Sequence, residues 1–480
     1  MILLFNRPTT SLTTRTLPGQ WPMNGGALQQ LRYVADAPGE LAGQISWSVD
    51  LGEPTRSAPI VVENVFYIGV CFQIVALDIE SGRTLWTKQT SGPVHSSLAA
   101  AGDNLYVGLL DHRLLALDIK TGETRWGFLT QDIVTAAPVV AKGIVYVGSW
   151  DHYMYALDAA DGNLIWKFQA DARINNSPAV HKGSLFVTDS AGNLHVLSAR
   201  TGQERLLYRA PGTSTRPPMV AHGLVYFLSE GRIYAVDAGA RGIPLQFQLK
   251  KVWAQLWLWQ VPGIPRPPGQ RGGLWRFSPA DPKEGFAAAP AVTVEASYLG
   301  DVQGNFYAQE ALLGTDLWRF RAGASIVASP VVVGDRVYFG SKDGAIYALD
   351  RFTGELRWRR DLGASIQVSP VFAAGRLLVQ TADGRLHAIE RSHSTTVTAE
   401  QRAILRRQQL GGEGVKSPRC RACTIEELNL GRQANQVEVD FVISLVSQSG
   451  ALGSRSEMTP TAQPTNECST GLGRPLTAGL

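Results

Sequence analysis

One pattern of short apolar runs and turn pairs recurs along the chain. Residues 137–166 read APVVAKGIVYVGSWDHYMYALDAADGNLIW, and residues 329–358 repeat the same spacing as SPVVVGDRVYFGSKDGAIYALDRFTGELRW. A third copy begins at Leu98 and ends at Trp126. The apolar runs are separated by pairs such as Lys-Gly, Asp-Gly and Thr-Gly. This pattern is typical of four successive antiparallel strands, which we label A to D.

Two positions of this unit recur along most of the chain. The position near the start of strand A that usually holds proline falls at Pro59, Leu98, Pro138, Pro178, Pro218, Pro290, Pro330 and Pro370. The strand D position that usually holds tryptophan falls at Trp47, Trp86, Trp126, Trp166, Leu206, Trp275, Trp318 and Trp358. Successive units lie 39 or 40 residues apart, except for 72 between Pro218 and Pro290. That gap holds one repeat and about 32 inserted residues.

The order of these positions predicts how the repeats close into a ring. The first D strand, around 45–51, precedes every A strand, and the last A, B and C strands, around 370–390, have no D strand after them. The N-terminal strand would therefore complete the last blade and cover the two sheet edges that an open ring exposes. We predict an all-β, eight-bladed β-propeller of four-stranded antiparallel blades, with the ring closed by an N-terminal strand.

The end of the unit carries a motif that resembles a known family. It stands at 116–126 as Ala-Leu-Asp-x-x-Thr-Gly-x-x-x-Trp and at 348–358 in the same form. The motif resembles the tryptophan-docking motif of the pyrroloquinoline-quinone (PQQ) repeat family, and the resemblance covers residues 47–391. Members include quinoprotein alcohol dehydrogenases, the propeller lipoprotein of the outer-membrane barrel assembly machinery and sensor domains of some bacterial kinases. The resemblance implies that each Trp ring packs against the next blade.

Composition and charge narrow the classes of partner. The 480 residues carry a formal net charge of +4 without a long run of Lys or Arg, so nothing indicates a nucleic acid as partner. The first 19 residues show no signal peptide, and no transmembrane segment is predicted anywhere in the chain. As written, the sequence is expected in the cytoplasm, whereas the family resemblance implies the cell envelope.

Three parts of the chain are distinguished by the extent of the repeat. Residues 1–44 lead into the ring, and 21–26 (WPMNGG) look like the segment that precedes the first blade in such proteins. Residues 45–391 form the propeller, with an insertion at about 239–273. Residues 392–480 are rich in Ser, Thr, Gly and Gln and are expected to be mostly disordered.

The insertion departs most from the repeat. It contains Trp253, Trp257 and Trp259 beside two lysines and a proline-rich stretch, and the first two would share a helix face. Such residues suit a partner or membrane-surface contact, while a loop that buries them against the propeller is an open alternative. If Trp275 occupies the strand D tryptophan position of blade 5, the insertion joins strands C and D. If Leu245 occupies that position instead, the insertion lies on the other face of the ring.

Polar side chains are expected around one mouth of the central channel. The D–A and B–C loops lie on one face of the meander, and sites in propellers usually lie at the channel mouth. We predict a binding rim there, with ordinary solvated turns as the alternative. Two Asp-His pairs on diverging turns do not predict a metal site. The candidate residues from the D–A segments and B–C turns are Arg56, His95, Thr135, Asn175, Arg216, Ser325, Gln367, Asp111, His112, Asp151, His152, Asp343 and Asp383.

The resemblance raises the question of whether this chain has the quinone site of the family's dehydrogenases. The dehydrogenases of the family hold the quinone against calcium, with a catalytic Asp and, in many members, a disulfide between adjacent cysteines. No two of the four cysteines here are adjacent; they are Cys71, Cys420, Cys423 and Cys468. No Asp can be identified as an activated base from the sequence. We therefore assign no catalytic residue and expect no cofactor, with PQQ and calcium as the alternative.

The sequence favours a non-catalytic scaffold that presents one rim to a protein, peptide or glycan, and we expect a monomer. Two alternatives stay open. One is a quinoprotein (PQQ-dependent) oxidoreductase, a dehydrogenase with an atypical site. The other is a sensor domain of a bacterial signalling system.

Overall fold

The computed structural model describes residues 20–34, 41–214, 216–242, 246–267, 269–278 and 285–391. In these ranges the chain forms eight sheets of four antiparallel strands, and β1 (Tyr33–Val34) is added to one of them. One helix, α1 (Gln246–Leu258), interrupts the series. This is the eight-bladed propeller that the repeat predicts. Within the described ranges, no helix combines the length and apolar character needed to cross a membrane. The predicted tail lies outside them.

The first four blades follow one another without interruption, each in the strand order A, B, C, D. Blade 1 contains β3 (Ile60–Val62), β4 (Val65–Val70), β5 (Gln73–Asp78) and β6 (Thr84–Gln89). Blade 2 contains β7 (Ala99–Ala101), β8 (Asn104–Gly108), β9 (Arg113–Asp118) and β10 (Thr124–Leu129). Blade 3 contains β11 (Val139–Ala141), β12 (Ile144–Gly148), β13 (Tyr153–Asp158) and β14 (Leu164–Gln169). Blade 4 contains β15 (Ala179–His181), β16 (Ser184–Thr188), β17 (Asn193–Ser198) and β18 (Glu204–Arg209).

The remaining four blades include the insertion and the closure. Blade 5 contains β19 (Met219–Ala221), β20 (Leu224–Ser229), β21 (Arg232–Asp237) and β22 (Gly273–Phe277), with α1 between the last two. Blade 6 contains β23 (Ala291–Val292), β24 (Ala296–Gly300), β25 (Asn305–Glu310) and β26 (Asp316–Arg321). Blade 7 contains β27 (Val331–Val333), β28 (Arg336–Gly340), β29 (Ala345–Asp350) and β30 (Leu356–Asp361). Blade 8 contains β31 (Val371–Ala373), β32 (Arg376–Gln380), β33 (Arg385–Arg391) and, as its D strand, β2 (Leu41–Asp50).

The hydrophobic core lies between neighbouring blades. Strands B and C are buried along most of their length, as in β8, β12 and β20, because another blade covers each face. The outermost D strands alternate between exposed and half-buried residues, as in β10, because one face of that strand meets solvent. The A strands of adjacent blades contact each other, for example β7 with β11, and therefore line the central channel.

Each tryptophan of strand D holds one blade against the next. In strand D of blade 3, Trp166 pairs with Ala156 and stacks over Gly202 of blade 4, while its Nε1 donates a hydrogen bond to the Ala199 carbonyl at 3.2 Å. Tyr146 donates its hydroxyl to the same carbonyl at 2.9 Å. Burial and hydrogen bonding together fix the angle between the blades. The same Trp–Gly contact occurs at Trp47–Gly82, Trp86–Gly122, Trp126–Gly162, Trp275–Gly314, Trp318–Gly354 and Trp358–Gly43.

Candidate functional site at the channel mouth

A segment preceding the first blade lies inside the central channel. This channel segment, residues 20–34, follows the inner strands around the ring. Its carbonyl groups accept hydrogen bonds from the second residue of six A strands, at 2.7–3.1 Å. Those residues are Val61, Ala100, Val180, Val220, Val292 and Val332. Buried N–H groups on an inner sheet edge need such partners, so the segment completes the edges that face the channel.

Side chains of the channel segment point toward the mouth formed by the D–A segments. Asn24 donates from Nδ2 to Ser177 Oγ at 3.3 Å, and Gln30 donates from Nε2 to the Pro178 carbonyl at 3.2 Å. Met23 is fully buried in the core cluster that includes Tyr146. The segment is thus held by backbone hydrogen bonds, by the side chains of Asn24 and Gln30 and by the buried Met23. It lies in the channel directly below the mouth.

Arg32 of the channel segment carries a buried positive charge. Only 4% of the residue is exposed, and its Nη2 donates to Asn24 Oδ1 at 3.0 Å. Burial and the nearby Arg216 lower the pKa of Arg32 to about 10. The charged neighbour that acts on Arg32 is therefore a second cation, and at neutral pH both stay protonated.

Arg216 crosses between blades at the same mouth. It precedes strand A of blade 5, and its Nε and Nη2 donate to the carbonyls of Ala287 and Val327, the latter at 3.2 Å. These carbonyls belong to the D–A segments that enter blades 6 and 7. Burial lowers the pKa of Arg216. The guanidinium thus ties three D–A segments together while leaving a positive charge in the channel.

A second pair of basic groups lies on the D–A segments of blades 1 and 2. His95 is half-buried, and its pKa is lowered by burial and by the charge of Arg56. Arg56 itself is exposed. We call Arg32, Arg56, His95 and Arg216 the basic mouth. Among the described residues, the position three before the strand A proline position carries no carboxylate; these residues are Arg56, His95, Thr135, Asn175, Ala287, Val327 and Gln367. Arg216 lies one residue later in its segment, and the predicted rim residue Ser325 lies two residues before Val327.

An aromatic wall stands beside these groups. Trp150, in the B–C turn of blade 3, donates from Nε1 to Thr135 Oγ1 at 2.9 Å, and the guanidinium of Arg173 lies over the indole at 4.6 Å. Thr135 is among the rim residues predicted from the sequence, whereas Trp150, Arg173 and Arg32 are not. A signal for Trp150 was present, because it is the one aromatic residue at this position of the six longer B–C turns; the others carry Leu110, Ser190, Val302, Lys342 and Ala382.

The B–C aspartates lie beside the mouth, and two of them, Asp151 and Asp343, are hydrogen-bonded within their own blades. Asp151 accepts hydrogen bonds from the Tyr155 hydroxyl at 2.7 Å and from the Gln131 backbone at 2.9 Å. Asp343 accepts from the Tyr347 hydroxyl at 2.5 Å. Its pKa is lowered, because this and other hydrogen bonds outweigh the effect of burial. Asp111 packs against Gly92 of the adjacent D–A segment.

The two histidines at the B–C turns occupy backbone positions that explain them without a ligand. His112 and His152 have φ of 71° and 72°, in the left-handed region where the corresponding turns of blades 7 and 8 carry Gly344 and Gly384. Their carbonyls accept backbone hydrogen bonds from Thr130 and Ala170. In the part of the chain that the structure describes, no group of three or more His, Cys, Asp or Glu is placed to hold a metal ion. The predicted rim residues Asn175 and Gln367 lie at the mouth, half-buried and exposed respectively.

The insertion lies on the other face of the ring. Trp275 pairs with Ala235, as the tryptophans of the other blades pair with the alanine of their motif, so the insertion joins strands C and D. Trp253, Trp257 and Trp259 all lie on or just after α1 and are exposed. They are therefore remote from the basic mouth, since C–D turns and D–A segments lie at opposite ends of the strands.

Comparison with known proteins finds a family model that matches two stretches of the repeats. A family model described as outer membrane protein assembly factor BamB matches residues 151–243 and 303–410. No curated protein matches the sequence.

Among solved structures, the quinohemoprotein alcohol dehydrogenase from Comamonas testosteroni is similar with a TM-score of 0.62 at 16% identity, over 77% of this chain and 80% of that one. A europium-containing methanol dehydrogenase has a TM-score of 0.57 at 16% identity, over 76% and 89%. BamB from Moraxella catarrhalis has a TM-score of 0.40 at 16% identity, over 73% and 98%. At these identities the two dehydrogenase structures show the fold alone.

Proposed function

We propose that this chain, a β-propeller of PQQ-type repeats, is a non-catalytic binding scaffold that holds an acidic segment of a protein or peptide at its basic mouth. The observation that carries the proposal is the set of four basic side chains at the end of the channel, Arg32, Arg56, His95 and Arg216. The charge of Arg216 acts on Arg32, and that of Arg56 acts on His95, where it lowers the pKa together with burial.

The arginines grouped at the basic mouth attract a group of the opposite charge. Like charges held close together raise the free energy of the empty site, and low-dielectric walls strengthen the field at the mouth. A carboxylate bound there would relieve the repulsion between Arg32 and Arg216 and accept hydrogen bonds from a guanidinium. A carboxylate binds guanidinium groups more strongly than a neutral glycan does, so an acidic segment is favoured over the other partner classes predicted from the sequence.

The mouth is also rigid before any ligand arrives. The channel segment fills the space below it, and Arg216 is tied to the carbonyls of Ala287 and Val327. Trp150 is fixed by its hydrogen bond to Thr135. A preorganised site loses little conformational entropy on binding, which suits recognition of a short flexible segment.

The quinone and calcium used by the family's dehydrogenases do not fit the residues at this mouth. Calcium is held by six to eight oxygen ligands, of which carboxylates are the strongest. The described inner positions of the D–A segments supply arginines, a histidine and amides instead, and Asp151 and Asp343 are engaged by tyrosines of their own blades. No catalytic step is therefore derived through the quinone.

The proposal is tested by fluorescence anisotropy with a labelled oligoglutamate peptide and its oligoglutamine match. We expect saturable binding of the acidic peptide alone, weakened by salt because exposed charges are screened. Arg56→Gln and Arg216→Gln should each weaken binding by about threefold to tenfold. Arg319→Gln, which removes an exposed arginine from the outermost strand of blade 6, is the matched control and should change nothing. Equal binding of both peptides, or equal loss in the control, would refute the proposal.

A further inference from the structure

The helix of the insertion turns an apolar face to solvent. At 100° per residue, Leu249, Val252, Trp253, Leu256 and Trp257 share one side of α1. Four of these are exposed, with Leu249 58% and Val252 60% accessible, and Leu256 is half-buried. In a helix that only packs on its own domain this side would be the covered one, so its exposure is unusual.

The helix is attached to the propeller through the side next to this apolar one. Phe247 lies under the Arg209 guanidinium at 4.6 Å, and Lys250 and Ala254 are half-buried. Burial lowers the pKa of Lys250. The following chain is fixed as well, because Trp253 donates from Nε1 to the Pro265 carbonyl at 2.8 Å and Gln270 bonds to the Arg209 backbone. The contacts of Phe247, Lys250 and Ala254 thus lie next to the apolar side and leave most of that side exposed.

Loops of the next two blades add exposed apolar residues on the same face. Blade 6 presents Leu312 and Leu313 in its C–D turn and Val294 in its A–B turn, and blade 7 presents Phe352 in its C–D turn. The corresponding pairs before the C–D glycine in blades 1 to 4 are more polar: Glu80-Ser81, Lys120-Thr121, Ala160-Asp161 and Arg200-Thr201. Among the C–D turns compared, those of blades 6 and 7 are therefore the apolar ones, next to the insertion of blade 5.

The charge of the insertion has one sign. Residues 239–273 contain five basic residues and no Asp or Glu; the five are Arg241, Lys250, Lys251, Arg266 and Arg271. Tryptophan and leucine beside lysine and arginine favour the interface of a lipid bilayer, where rings lie at the headgroup level and cations meet anionic lipids. A soluble acidic protein would satisfy the charge, but three exposed tryptophans and leucines suit the apolar boundary of a bilayer better.

We infer that the insertion docks on an anionic membrane surface, with the apolar side of α1 inserted at the headgroup level. In this orientation the basic mouth, on the opposite face, points away from the bilayer. The inference is independent of what binds at the mouth.

The test is flotation of the full chain with phosphatidylcholine vesicles that contain or lack about 30 mol% phosphatidylglycerol. We expect binding to the anionic vesicles, weakened at about 0.5 M salt, and quenching of tryptophan fluorescence by brominated lipid. Trp257→Ser with Trp259→Ser should reduce binding by about tenfold or more, and Lys251→Glu with Arg266→Glu by a similar factor. These side chains are exposed, so the variants should fold.

The matched control is Leu85→Ser with Leu129→Ser, which removes exposed leucines from outer strands of blades 1 and 2. It should bind vesicles as the unaltered chain does. Absence of flotation, equal loss in the control, or flotation without quenching by brominated lipid would overturn the inference. Capture of an acidic protein by the tryptophans, without vesicle binding, would overturn it in favour of a protein partner.

Discussion

The contact between Trp166 and Gly202 gives a prediction about how the blades are held together. Gly202 has φ of 70°, and a Cβ built on it would lie 2.6 Å from Cε3 of Trp166. Alanine at a left-handed position costs about 1–2 kcal/mol, and displacing a packed ring costs about 1–3 kcal/mol more. Gly202→Ala should therefore lower the free energy of unfolding by about 2–5 kcal/mol, measured from urea midpoints at an unchanged m-value.

The same blade supplies the control. Gly183 has φ of 76° and nothing within 4 Å of its built Cβ, so Gly183→Ala should lose only the backbone cost of about 1–2 kcal/mol. In a Trp166→Leu background, which copies the residue at Leu206, Gly202→Ala should lose most of its additional cost. If the two glycine variants are equally destabilised, the indole contact is not the reason for glycine at Gly202.

Two further predictions concern buried groups. His195 has its pKa raised because hydrogen bonds to Asp189 and Glu204 outweigh burial, so its stabilisation is complete below the unfolded pKa and is lost as pH rises through the folded pKa. The difference in unfolding free energy between the unaltered chain and His195→Gln should shrink as pH rises above about 6.5, followed by urea denaturation; a constant difference would contradict this. Met23→Ala should cost about 2–5 kcal/mol because Met23 is fully buried, and a loss within error of zero would show that the channel segment adds nothing to the core.

Much of the fold could be predicted because each repeat carries the same turn, proline and tryptophan residues at a regular spacing along the sequence. The spacing of Pro and Trp positions gave the number of blades and the closure by the N-terminal strand, which pairs Trp47 with Ala388. The family model and the propeller fold confirm the resemblance drawn from the Ala-Leu-Asp…Trp motif. The pairing of Trp275 with Ala235 also selects one of the two alignments of blade 5.

The basic mouth could be predicted only in part. Arg56, His95 and Arg216 precede A strands in the repeat, so the sequence placed them at one end. Arg32 could not be placed, because the channel segment bonds to the inner strands through backbone carbonyls that leave no side-chain pattern. The closeness of Arg32 and Arg216 joins residues of different parts of the chain, which spacing along the sequence does not encode.

The scaffold hypothesis is tested most directly against the enzyme hypothesis by titrating the purified chain with PQQ, with and without calcium. Absorbance, thermal shift and dye reduction with alcohols or sugars would be followed together. The account predicts at most a salt-sensitive association of the anionic quinone with the basic mouth, unaffected by calcium and without dye reduction. Saturable binding and a raised Tm that both require calcium, with substrate-dependent dye reduction, would contradict it and establish an oxidoreductase.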